Sequence, residues 1–263
     1  MPFRDVLVVV RGGGDLGTGV CWRLTRAGFP VVVAELPAPL SVRRSAALSS
    51  AVHRGTAEVE GMCGVRSTVE EAAGLARSGV VPVVVTAVLP PLGAAVVVDA
   101  RMAKRPLDTT IGDADLVVGL GPGFTAGHHC HAVVETLRGP RLGRALWQGS
   151  AAADTGLPGE LGGRSGERVL RAPVAGAARW RVAVGDVVEP GDRLGSVGGV
   201  DLRAPFRGRI RGLIADGTEV PSGLKVGDLD PRLDTPWREI SDKALAVGGG
   251  VLEAVLTWWH DRD

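Results

Sequence analysis

Val6-Leu7-Val8-Val9-Val10-Arg11-Gly12-Gly13-Gly14-Asp15-Leu16-Gly17 joins an unbroken apolar run to a glycine-rich turn. A continuous β-branched run suits a strand covered on both faces. Beyond the turn, residues 15–27 place Leu16, Val20, Leu24 and Ala27 on one helical face, and Gly28 is a C-terminal stop. Strand, glycine turn and helix in that order are the context that G-x-G-x-x-G requires. Its glycines let backbone approach a phosphate, and the helix amino end stabilises the charge. Gly12, Gly13, Gly14, Asp15 and Gly17 are therefore candidate cofactor-binding residues, although the Asp15 carboxylate opposes an anion set against it. A second strand at Val31–Val33 ends near Glu35, where a ribose-binding carboxylate is expected. The alternative is a tight strand-to-helix turn with no ligand.

The alternation continues outward. A helix is expected over about 41–53, and Ser67-Thr68-Val69-Glu70 matches a capping box opening a helix that Gly79 closes. Strands near 80–85, 94–98 and 115–119, a helix over 126–137 and a strand at 144–147 complete the pattern. Such alternation calls for a mostly parallel sheet with helices on its faces, a Rossmann-like α/β domain over 1–150. Residues 78–98 carry no charge, yet Pro82, Pro90, Pro91 and Gly93 divide them, so two buried strands around a Pro-Pro turn fit better than a membrane span.

Residues 151–167 are glycine-rich and form a linker or an ordered loop. Beyond them Arg171-Ala172-Pro173-Val174-Ala175-Gly176 recurs as Arg203-Ala204-Pro205-Phe206-Arg207-Gly208, an offset of 32 residues. Gly185…Gly191 recurs as Gly217…Gly223 at the same offset. Two such units imply a small all-β domain over 168–232 with internal pseudo-twofold symmetry, similar to the barrel-sandwich hybrid of biotinyl and lipoyl domains. A C-terminal helical segment covers 233–263.

Composition excludes several classes of function. Thirty Lys+Arg against 29 Asp+Glu give a net charge of +1, so no broad field favours nucleic acid or an acidic membrane. Three cysteines, Cys21, Cys63 and Cys130, stand far apart without a CxxC pair, which points to a reducing cytoplasm rather than a disulfide framework. No signal-peptide pattern opens the sequence. GxSxG, HExxH and a P-loop lysine are all missing, so hydrolase and NTPase readings have no support.

Other motifs admit a chemical and a plain reading. Gly119-Leu120-Gly121-Pro122-Gly123-Phe124-Thr125 also follows an apolar run, and its amides can nest a second anion or simply make a Gly-Pro turn. This adds Gly121, Gly123 and Thr125 to the candidates. His128-His129-Cys130-His131 holds metal-compatible side chains, but consecutive helical residues point about 100° apart, so the four cannot converge on one ion unless they lie in a loop. His131 and Glu135 are better placed, stacked at i and i+4, with Arg138 following as a polar helix face. Asp228-Leu229-Asp230-Pro231-Arg232 can ligate a hard cation or supply turn caps and ion pairs. Ser241-Asp242-Lys243 reads as a helix amino end.

Taken in order, Arg11…Gly19, Val42-Arg43-Arg44, Ala103-Lys104, Gly121…Gly127, His131…Thr136, Leu142-Gly143-Arg144, Asp154…Gly159, Gly223…Arg232 and Ser241…Lys243 form a series spread over nearly the whole chain. The series resembles the accessory-protein family of the selenium-dependent molybdenum hydroxylase system. Its N-terminal part is distantly similar to the Rossmann domain of xanthine dehydrogenase accessory proteins. The resemblance implies a maturation protein that handles a phosphate-bearing cofactor, either molybdopterin-type or a (di)nucleotide. The implied partners are the molybdenum hydroxylase, its other maturation proteins and a second copy of the chain as a homo-oligomer, with His131, Glu135 and Lys104 as candidate catalytic residues. The chain departs from the family pattern at Pro106, His129 and Pro140. Two other classes compete: an NAD(P)-dependent oxidoreductase using Glu35 and His131, and a docking module. Covalent carriage is disfavoured because the hairpin near 196–202 has no lysine.

Overall fold

The structure, a computed structural model, describes residues 3–105, 107–154, 156 and 163–262. Part of the glycine-rich 151–167 stretch and Pro106 therefore lie outside the described residues. The protein is a mixed α/β chain with one large, mostly parallel sheet and further antiparallel sheets. It divides into two compact units, Met1–Pro37 with Ala47–Thr155 and Ile240–Asp263, and Ala38–Ala46 with Gly156–Glu239. Among the described residues no helix is long and apolar enough to cross a membrane.

In the first unit the elements run β1 (Val8–Arg11), α1 (Asp15–Arg26), β2 (Val31–Glu35), α2 (Ala51–Arg54), β3 (Thr56–Val59), β4 (Met62–Ser67), α3 (Val69–Arg77), β5 (Val81–Val85) and β6 (Val96–Asp99). They continue with β7 (Leu116–Leu120), β8 (Thr125–Ala126), β9 (Ala132–Val134), β10 (Ala145–Leu146), β11 (Gly149–Ser150) and, at the far end of the chain, α4 (Asp242–His260). Nine strands make one sheet in the order β10-β9-β7-β6-β1-β2-β5-β4-β3. All neighbours are parallel except the outermost pairs, β10 with β9 and β3 with β4. Strands covered on both faces explain the valine runs: Val8, Val10, Val96 and Val98 meet α1 and α4, while Val9, Val32 and Val97 meet α3 and Phe124.

Several local expectations give way. The span 41–53 is not one helix but short 3-10 turns at Arg44–Ala46 and Leu48–Ser50 followed by α2. The cap of α3 is Thr68, whose hydroxyl accepts from the Glu71 amide, one residue later than the sequence motif implies. Residues 126–137 contain no helix; they form the end of β8, a turn and β9. Ala132-Val133-Val134 is a short β-branched run, which pairs with β7 because both faces of that strand are buried. The β3–β4 hairpin has no counterpart in the sequence reading. Its turn residues Glu60 and Gly61 both have positive φ (46° and 78°), the signature of the tight turn that matches strand twist.

The second unit holds β12 (Val169–Arg171), β13 (Gly176–Trp180), β14 (Val187–Val188), β15 (Arg193–Val197), β16 (Val200–Arg203), β17 (Gly208–Leu213), β18 (Glu219–Val220) and β19 (Lys225–Asp230). They form two four-stranded antiparallel sheets, β12-β19-β17-β14 and β16-β15-β13-β18. Advancing 32 residues converts β13, β14 and β15 into β17, β18 and β19. Pro173 and Pro205 occupy matching bends, each preceded by a buried alanine, Ala172 and Ala204. Leu170, Val188, Leu194, Ile210, Leu229 and Phe206 fill the core. Asp228 and Asp230 follow the ion-pair reading. Asp228 is buried against Arg168, with Arg211 and Lys225 also near it, and Asp230 pairs with Arg232 at 2.9 Å.

Candidate functional site

Parallel strands carry their carboxyl ends to one edge. In the first unit, register sets Arg11 opposite both Ala34 and Asp99, and Asp99 opposite Gly119, so these residues form one row across β2, β1, β6 and β7. The two glycine loops begin just past that row. Two strand spacings, about 10 Å, separate them. The segment 100–105 runs between: a Cβ on Gly12 would lie 3.2 Å from the Ala100 carbonyl carbon, and one on Gly123 would lie 2.6 Å from the Arg105 nitrogen. Gly12 and Gly123 also have φ of +97° and +105°, which side chains rarely adopt. Gly17 serves close packing, since its Cβ would meet the Gly12 oxygen at 1.9 Å.

The main-chain amides of these loops are largely committed. Gly12 donates to the Ala34 carbonyl at 2.8 Å and Gly121 to that of Val134 at 2.9 Å. Gly13 donates to Glu35 Oε2 at 2.8 Å, while Leu36 donates to Oε1 at 2.7 Å. Glu35 is thus buried with both oxygens on backbone, and burial raises its pKa above the ordinary value even though those amides pull it down. It is not turned outward as a ribose ligand. Gly14, at φ −71° and ψ −166°, precedes α1, whose first amides have no acceptor within the helix. The Asp15 carboxylate accepts from Ser241 Oγ at 3.3 Å, beside the α4 amino end that Ser241 caps through the Ala244 amide.

His131 and Glu135 do not come together. Without a helix, four residues of extended chain, about 13 Å, separate them. His131 sits at the amino edge, where its amide donates to the Val117 carbonyl and its Nδ1 accepts from the Val117 amide at 2.9 Å. Burial lowers its pKa, and Asp115 partly offsets this. Glu135 lies at the carboxyl edge, buried, with Oε1 accepting from Thr136 and Leu137 and Oε2 from Ala152, each at 2.7 Å. Arg138 instead pairs with Asp242. His129 accepts the Thr125 amide at 3.1 Å, and the Thr125 hydroxyl meets Ser150 Oγ at 2.9 Å. Among the described residues no group of three or more His, Cys, Asp or Glu is placed to hold a metal ion. Lys104, at φ +60°, remains close to Gly123 and pairs with Asp154 at 2.6 Å.

A charged cluster that no sequence motif marks stands at the same edge. Arg11, only 2% exposed, reaches Asp108 Oδ2 at 2.6 Å and Thr109 Oγ1 at 2.7 Å. Arg101 holds Asp99 Oδ2 at 2.5 Å and Asp108 Oδ1 at 2.6 Å, and Thr109 Oγ1 donates to Asp99 at 2.7 Å. The sequence signal is slight: charged residues directly after two valine runs. Partial burial raises the Asp108 pKa, but the hydrogen bonds and charges of Arg11 and Arg101 outweigh it and bring it to about 2. A depressed carboxylate stabilises the fold above its unfolded pKa of about 3.9 and ceases to do so as pH falls through its folded value. Acid titration is expected to show a loss of stability between about pH 4 and about pH 2 that Asp108→Asn lacks. Identical acid dependence of the two proteins would count against the pairing.

No protein-family model matches the chain. The chain is 44% identical over 264 residues to the uncharacterized protein YqeB of Escherichia coli, an alignment covering 98% of this chain and 49% of that protein. Among solved structures it is similar to an aspartoacylase family protein from Mesorhizobium loti, at 14% identity and a TM-score of 0.30 over 86% of this chain and 85% of that one, a likeness too slight to argue from. The chain spans about half the length of the curated relative it matches.

Proposed function

We propose that the chain is an accessory protein in the maturation of a selenium-dependent molybdenum hydroxylase. On this reading it binds a phosphate-bearing cofactor, molybdopterin-type or nucleotide, at the carboxyl edge of its large sheet. The sheet unit is then Rossmann-like and the repeat unit a barrel-sandwich hybrid, with the hydroxylase and its other maturation proteins as partners. The observation that carries the binding half of this reading is the row of Arg11, Asp99 and Gly119, which brings Gly12–Gly17 and Gly121–Gly123 out along one edge. Ligands of open α/β sheets bind beyond such carboxyl ends. The pathway rests on the ordered motif series from Arg11 to Lys243. The oxidoreductase reading is weaker, because it needs an outward carboxylate where Glu35 accepts the Gly13 and Leu36 amides.

The test is thermal stability of the purified protein with NAD, NADP, CTP, AMP and molybdopterin species. A ligand at 100 times its Kd adds ~2.7 kcal/mol. Gly14→Val is expected to fold, since φ −71° suits any residue, yet to lose that stabilisation by keeping phosphate from the loop. No stabilisation by any of these compounds, or an equal one in Gly14→Val, overturns the reading.

A further inference from the structure

We infer that the guanidinium groups of Arg11 and Arg101 form a phosphate site that the chain's own Asp108 fills, so that a phosphate-bearing ligand enters by displacing this carboxylate. The inference rests on the carboxyl-edge reading above and names the groups that would take the phosphate. Arg11 is the reason to look. A buried guanidinium at the end of a valine strand is costly unless it is paired. Its ionic partner is not the buried Asp99 beside it in the row but Asp108, whose side chain is 49% exposed. Asp99 is committed to Arg101 and Thr109.

The arrangement matches the ligand class. One carboxylate bridges two guanidiniums, Oδ2 on Arg11 and Oδ1 on Arg101, both at 2.6 Å. Two oxygens of a phosphate fit the same donors, since guanidinium groups present paired N–H bonds to carboxylate and phosphate alike. The cations are anchored more firmly than the anion. Arg11 stands on β1, and Arg101 is fixed by three contacts to the Asp99 carboxylate at the end of β6. Asp108 instead lies on the loop after β6, where Met102 and Lys104 hold φ of 56° and 60°, conformations that cost energy outside glycine. Withdrawal of Asp108 would leave two guanidiniums facing the single carboxylate of Asp99, a net positive site. It adjoins the first glycine loop, because a Cβ on Gly12 would lie 3.2 Å from the Arg101 Cα.

The experiment titrates inorganic phosphate and, separately, AMP into the full chain at constant ionic strength, following heat or thermal shift. The proteins are the original chain, Asp108→Asn, Asp108→Ala, Gly14→Val and the double variant Asp108→Asn with Arg101→Gln, each checked for native circular dichroism. Removing the internal competitor should tighten inorganic phosphate at least ten-fold in Asp108→Asn and in Asp108→Ala, and the double variant should lose that gain. Equal phosphate affinity in the original chain and both Asp108 variants overturns the inference. If AMP still binds the original chain and Gly14→Val abolishes this, the carboxyl-edge reading survives that result. Conversely, phosphate tightening without any stabilisation by AMP or the other cofactors upholds the arginine pair and removes the proposed function. An absence of binding in every protein overturns both.

Discussion

Gly248→Ala is expected to destabilise the protein, whereas Gly249→Ala, one residue along the same helix, stabilises it. Inside a helix alanine exceeds glycine by up to about 1 kcal/mol, so propensity alone favours both changes. The surroundings differ. A Cβ at position 248 would lie 2.4 Å from the Gly19 carbonyl oxygen, and one at 250 would lie 1.9 Å from the Gly143 oxygen, while position 249 has nothing within 4 Å. The contact is reciprocal, since a Cβ on Gly19 would meet the Ala244 oxygen at 2.4 Å. The obstructing atoms are main chain, so at position 248 α1 and α4 must separate and at position 250 α4 must move off the turn at Gly143, loosening the layer of Val20, Val247 and Val251. Overpacking costs roughly 1–3 kcal/mol, and a rigid backbone obstacle puts these sites at the upper end. Urea denaturation should rank Gly249→Ala above the original chain, then Gly248→Ala, then Gly250→Ala. A neutral Gly248→Ala would mean that the helices do not cross this closely.

Glu135→Ala is expected to be as damaging without altering any packing of this kind. Three main-chain amides end on that carboxylate, from Thr136, Leu137 and Ala152. Stranding a buried donor costs about 1–3 kcal/mol; Thr136 is buried whereas Leu137 and Ala152 stand at exposed positions, so the alanine variant should lose about 1–3 kcal/mol, chiefly at the Thr136 amide. Glu135→Gln should fall between. Its single carbonyl can take the two amides at Oε1, while its NH2 must then face the amide of the exposed Ala152, a loss of about 1 kcal/mol, the low end of the range for an unpaired donor. Chemical denaturation measures both. A glutamine variant as stable as the original would release Glu135 from this structural role and return it to consideration as a proton carrier.

The strands that were legible share one property: valine runs bounded by glycine or proline, as at 6–10, 31–33, 80–85 and 115–119. Burial on both faces leaves no other pattern for them to follow. The run Ala132-Val133-Val134 is too short to distinguish strand from helix by period, and the histidines before it suggest a polar helix face where the chain forms a strand. The His131–Glu135 pair depends on that helix. The roles of Glu35 and Glu135 were hidden for a different reason, since residue type and spacing cannot tell whether a carboxylate meets a ligand or main-chain amides. The pairing of Arg11 with Asp108 spans 97 positions in the chain, beyond any local signal. The 32-residue repeat was visible because equivalent turns demand glycine and proline at equivalent places.

The order of synthesis gives α4 a second consequence. Helix α4 belongs to the first unit, yet it is translated only after all of residues 156–239, which belong to the second. Until then α1 emerges with its glycine face uncovered, and Val20 and Leu24 lack the partners Val247, Val251 and Val255 in their apolar cluster. The nascent sheet therefore cannot close cotranslationally from its own N-terminal segment. Its final consolidation waits on residues 240–260, which follow the whole of the second unit along the chain. A ribosome-stalled chain ending before Ile240 should present that uncovered surface to chaperones, although every strand of the large sheet is already made.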